Sequence, residues 1–195
     1  MMIMGLLKEG TKLQHDKTEQ MLFAGKIMDG SLTLDDYRYM LLCNYLFNAA
    51  LEKELVQRPE EFDGFQLERR LKTALLESDL AELGINNVPV DELFSGWSFP
   101  QLLGACYVAE GSTLGGKVIE RALQKNENIA GSVKAFNYFN CYGDETGPLW
   151  KAFGDYASQK SAGVEQEVVA GANKAFDMFQ SIAVTAKQYM PVATA

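Results

Sequence analysis

Apolar residues in this chain recur mostly at three- and four-residue steps, the spacing that lines one side of an α-helix. No stretch alternates in the two-residue manner of a half-buried strand. The spacing predicts helices over residues 6–24, 34–57, 66–83, 98–125, 149–161 and 163–189. The clearest is 34–57, where Tyr37, Leu41, Leu42, Tyr45, Leu46, Ala49 and Leu55 keep the period. Thr33, with Asp36 three residues on, fits an N-cap with an acidic partner. Ser98 and Pro100 fit an N-cap and a first turn, and Gly84 is placed to end 66–83. Pro59 and the turn Asp29-Gly30-Ser31 punctuate these stretches. No repeat, linker or change of composition divides the chain, so one all-α domain over residues 1–195 is expected.

Hydrophobic residues make up 47% of the chain and charged residues 23%, which supports a sizeable core and excludes disorder. The net charge of −8 argues against non-specific nucleic-acid binding but leaves room for a local basic patch and an anionic small ligand. Cys43, Cys106 and Cys141 are scattered, with no C-x-x-C, so neither a disulfide framework nor a cysteine zinc site is expected. Free thiols suit a reducing cytoplasm. The start, Met1 to Leu7, is apolar but lacks a basic flank and meets Lys8 and Glu9 at once, so it does not read as a signal peptide. No apolar run approaches the roughly 20 residues of a membrane span, and no membrane partner is expected.

Two clusters carry candidate chemistry. Lys8, Lys12, His15 and Glu19 fall within roughly 60° of one another on an unbroken helix. An imidazole can ligate a metal through one ring nitrogen while a carboxylate at i+4 accepts from the other. Two ammonium groups on the same face could hold anionic groups of that ligand. Heme has this combination of iron and two propionates. A solvated lysine-glutamate stripe has the same spacing, so both readings stand at this point.

The second cluster is Glu110-Gly111-Ser112-Thr113-Leu114-Gly115-Gly116, three glycines within a predicted helix. Each glycine costs about 1 kcal/mol there relative to alanine. Gly104, Gly111 and Gly115 fall on one face, where a bare backbone could approach something flat. Close helix–helix packing through small residues explains the same pattern. The full phosphate-loop spacing is absent, and so is a preceding strand. No G-x-S-x-G elbow accompanies the single histidine.

Leu7-Lys8-Glu9-Gly10-Thr11-Lys12-Leu13-Gln14-His15 resembles the proximal-helix motif L-K-E-A-T-K-x-x-H of heme oxygenases. Ala50-Leu51-Glu52-Lys53-Glu54 is similar to the family's A-L-E-x-E segment, and Gly111 to Gly116 is similar to its distal G-D-x-S-G-G. The E-G-S-T-L-G-G form resembles bacterial members, especially those associated with bacteriophytochromes. The matching motifs span about residues 6–120, and the last third matches loosely. The resemblance implies an all-α fold that sandwiches heme between a proximal helix and a glycine-kinked distal helix. It implies His15 as the iron ligand and Glu19 as its hydrogen-bond partner. Lys8 and Lys12 then contact propionates, with Lys151 as a third cation and Gly116 beside the substrate. Gly111, Ser112 and Gly115 make the distal catalytic face.

Ser112 stands where animal enzymes carry an aspartate that organises the water network for proton delivery. Other anchors must then serve, the Ser112 and Thr113 hydroxyls and Glu110 being the candidates. The activity implied is heme cleavage to biliverdin IXα, CO and ferrous iron, using O2 and electrons from a ferredoxin, flavodoxin or flavin reductase. The alternative is a heme carrier or sensor that kept the fold and lost proton delivery. A thiaminase-like enzyme of similar helical architecture would need a cysteine nucleophile instead.

Overall fold

The computed structural model describes residues 2–191. Its central helix is the one most legible in the sequence, Leu34–Val56, here the fourth (α4). Thr33 accepts from the Asp36 amide at 3.1 Å while Asp36 accepts from the Thr33 amide at 3.1 Å. Asp35 and Asp36 also face the positive end of the helix dipole. From Tyr39 to Leu51 every residue is buried, so this helix runs through the core instead of lying on it with one stripe inward. Asn44 and Asn48 tolerate that burial by donating to the carbonyls of Met40 and Asn44, both at 2.8 Å.

The expected helix over 6–24 is divided into α1 (Ile3–Gly10) and α2 (Lys12–Met21), followed by α3 (Ala24–Asp29). The break has a local cause. Thr11 turns its hydroxyl back to the Leu7 carbonyl at 2.8 Å, a bond that bends helices. Gly10 also sits against Val169, where a Cβ would lie 2.6 Å from Cγ1.

The expected helix over 66–83 shortens to α5 (Thr73–Glu82) behind a 3-10 turn, Leu67–Arg69. Arg70 and Lys72 are drawn into the interior just before it. Glu52 then caps α5 from α4, accepting from the Lys72 amide at 2.6 Å and from the Thr73 amide at 3.3 Å. Gly84 has φ 81 and follows α5, as the sequence indicates.

The stretch 98–125 forms α6 (Phe99–Gly111), a 3-10 turn (Ser112–Gly115) and α7 (Gly116–Lys125). Then come α8 (Thr146–Lys160) and α9 (Glu165–Thr185). Helices α6 and α9 cross at backbone distance through Gly104 and Gly171. A Cβ on Gly104 would stand 2.3 Å from the Ala172 nitrogen and 2.4 Å from the Val168 oxygen. Gly104 therefore serves packing, so of the two readings of its shared face with Gly111 and Gly115, close helix–helix contact is the one that holds at this position. Because backbone cannot yield as a flexible side chain can, Gly104→Ala is expected to lower stability by at least ~2 kcal/mol. Chemical denaturation would check this, and an unfolding midpoint equal to that of the unmodified protein would remove the crossing from the account. Among the described residues, no helix is long and apolar enough to cross a membrane.

Candidate functional site

Helix α2 is held loosely by the core. Thr18 is its one buried residue. Polar contacts tie it to α9: Gln14 donates to Asp177 at 2.7 Å, and Gln180 donates to Gln14 and to Thr18, both at 3.3 Å. His15 stands beside these contacts with its side chain 53% exposed. Its ring meets buried Phe176 edge-on, with centroids 6.0 Å apart. A polar helix with so little apolar burial gains little from packing on the core.

The expected partners of the imidazole are near but not engaged. Glu19 lies 3.7 Å from Nδ1, beyond hydrogen-bond length, and Asp16 lies 3.8 Å from the same nitrogen. Lys12 pairs with Asp16 at 2.8 Å, a contact readable as i,i+4 but absent from the expected set. That pairing raises the Lys12 pKa and lowers the Asp16 pKa. Lys8 is exposed on α1, and the bend at Thr11 means that the four residues do not lie along one straight helix. Lys151 on α8 is exposed and paired with Asp155 at 2.8 Å.

Helix α6 meets this region one turn before its glycines. The Trp150 ring lies 5.9 Å from that of Tyr107 and covers Gly111, where a Cβ would stand 3.9 Å from it. A Cβ on Gly115 would meet only Ile119 of the following turn, at 3.7 Å, so this position is open. Gly116 is different. A Cβ there would stand 2.2 Å from the Phe139 carbonyl oxygen. Gly116 is therefore needed for packing against the 136–142 segment.

The expected water anchors separate in the same way. Thr113 is buried and donates to the Glu110 carbonyl at 2.7 Å. Glu110 is buried among Arg70, Lys72 at 2.8 Å and the Tyr142 hydroxyl at 2.8 Å. Both are buried and committed inward, whereas Ser112 is exposed on the turn, its hydroxyl donating to the Ala109 carbonyl at 2.8 Å. The three thiols do not suit nucleophilic chemistry. Burial pushes Cys43 up to about 12 and Cys141 up to about 11, and it raises Cys106 as well.

The donor set fits heme. One exposed imidazole can bind iron, exposed lysines can meet propionates, and the distal turn is open at Gly115.

Solved structures share this fold. Heme oxygenase from Neisseria meningitidis, determined with NO and CO bound, superposes with a TM-score of 0.76 at 20% identity, covering 100% of this chain and 96% of that one. The Synechocystis heme oxygenase-1, determined with heme, gives 0.75 at 18% identity, covering 97% and 94%. The Leptospira interrogans heme oxygenase gives 0.74 at 16% identity, covering 95% and 100%. In sequence, a heme oxygenase of Xanthomonas campestris pv. campestris is 30% identical over 156 residues, which is 78% of this chain and 91% of that one. The heme oxygenase family model matches residues 2–185, nearly the whole chain, and the chain belongs to that family.

Proposed function

We propose that α2, the distal 3-10 turn and α8 form the heme site of this protein, with His15 as the axial ligand to iron. Heme is the substrate, and its bound iron supplies the oxygen activation by which the ring opens to biliverdin IXα, CO and ferrous iron. Glu19 takes the second ring nitrogen of His15 once the 3.7 Å gap closes by a side-chain rotation, which fixes the imidazole tautomer. Lys8, Lys12 and Lys151 receive the propionates. Lys12 and Lys151 leave Asp16 and Asp155 to do so, a small cost because exposed pairs are worth little. This anchoring sets the rotation of the ring and hence the α isomer. Gly115 leaves the distal space clear, Gly111 makes the distal face beside the Trp150 ring, and Ser112 holds water there. Electrons come from a ferredoxin, a flavodoxin or a flavin reductase, and a reducing cytoplasm is the compartment that suits the three free thiols.

The observation that carries this reading is the chain's one imidazole, exposed on a helix the core barely holds. The test is an absorption spectrum after adding hemin, then a reductase system in air with catalase present. Loss of the Soret band with appearance of biliverdin IXα is expected. A Soret band that persists through reduction would assign the protein to heme carriage instead.

Gly115→Leu probes the distal face. The added side chain enters space that only Ile119 borders, so the fold is expected to survive while heme turnover falls about 10-fold or more. Turnover at the unmodified rate would place the ring elsewhere.

A further inference from the structure

Beneath the distal turn, two hydroxyls have three contacts but only two protons to fill them. Ser112 Oγ lies 2.8 Å from the Ala109 carbonyl and 3.2 Å from Tyr138 Oη. Tyr138 Oη lies 2.7 Å from Asn44 Oδ1. The amide of Asn44 is committed, because its Nδ2 donates to the Met40 carbonyl at 2.8 Å. Oδ1 can only accept, so Tyr138 donates to Asn44. Ser112 then has one proton and two acceptors, and it donates to Ala109. The 3.2 Å contact between the hydroxyls has no proton of its own in this setting. Tyr138 is buried, which keeps its phenol protonated, and Asp79 holds its backbone by accepting from the Tyr138 amide at 2.9 Å.

A second setting uses the same protons. Tyr138 turns its proton from Asn44 to Ser112 Oγ. Ser112 then has its lone pair satisfied and can rotate its own proton away from Ala109, towards the open side of the turn. We propose that Tyr138 is a positioning residue for the distal hydroxyl, its rotation releasing Ser112 from the Ala109 carbonyl to donate into the heme pocket. No proton leaves either residue, since both hydroxyls only rotate. Asn44 is the brake, because its oxygen competes for the Tyr138 proton. The inference rests on the site proposed above, with the distal turn over the heme.

Fluoride is a suitable probe, since it binds ferric heme and accepts hydrogen bonds. Its affinity for the hemin complex, read by absorption at fixed pH, reports distal donation without turnover. Ser112→Ala and Tyr138→Phe are each expected to weaken fluoride about 3- to 10-fold, the worth of one net hydrogen bond. The double variant is expected to be no weaker than either single one, because both remove the same donor. Asn44→Leu removes the competing acceptor and is expected to tighten fluoride, a change of sign that general damage to the fold would not produce. Unmodified affinity in Tyr138→Phe, additive losses in the double variant, or weaker binding in Asn44→Leu would each overturn the inference. Failure of the unmodified protein to give a histidine-ligated hemin spectrum would be a different result, removing the site reading and this inference with it.

Discussion

His15→Ala is expected to lose the histidine-ligated hemin spectrum and to lower turnover about 100-fold or more. Removing a partner of a metal ligand typically costs 10- to 100-fold, and here the ligand itself goes. The chain has no second histidine to replace it. The loss should be confined to the site. His15 is an exposed residue on a helix held by Gln14, Thr18 and Gln180, so the unfolding midpoint should hardly move. Free imidazole added to the variant should restore the spectrum in part, because the vacated position opens to solvent. A variant spectrum identical to that of the unmodified protein would disprove the ligand assignment.

Glu110→Gln should be the most damaging single change to stability. The carboxylate sits in the interior against Arg70 and Lys72, all three at most 3% exposed. The remaining donors are satisfied by backbone. Arg70 donates to the Phe65 carbonyl at 2.7 Å and to that of Leu149 at 3.2 Å, and Lys72 donates to the Arg70 carbonyl at 3.0 Å. Replacing the carboxylate by an amide keeps the shape but leaves two buried cations without a counter-charge. Breaking a buried pair from one side typically costs 3–5 kcal/mol. For a chain of this size that is a fall of about 10 °C in the thermal midpoint. Adding Lys72→Met should recover part of the loss, since one stranded charge is then gone. A midpoint within ~2 °C of the unmodified protein in Glu110→Gln would show that water reaches the cluster. Glu110 lies in the last turn of α6, directly before the 3-10 turn Ser112–Gly115.

What the sequence determined by itself is the part governed by short-range rules. Capping pairs such as Thr33 with Asp36, and Ser98 with Gln101, involve residues three apart, and they set the starts of α4 and α6. Helical periodicity gave the element order, and the L-K-E-G-T-K and G-S-T-L-G-G motifs gave the family. The i,i+4 pairing of Lys12 with Asp16 was also legible there. Tertiary structure decided the rest, because the deciding contacts join distant positions. Gly104 and Gly116 look like Gly111 and Gly115 in the sequence. Only the approach of α9 and of the Phe139 carbonyl separates packing glycines from open ones. Nothing near Arg70 and Lys72 in the sequence marks them for burial, because the carboxylate that makes it tolerable, Glu110, lies about 40 residues away on α6. Tyr138 and Asn44 carry no local signal: the Tyr138 hydroxyl meets Ser112 across 26 positions of chain and the Asn44 oxygen across 94. Hydrogen bonds of that range are selected by the packing of whole helices, and no window of neighbouring residues encodes them.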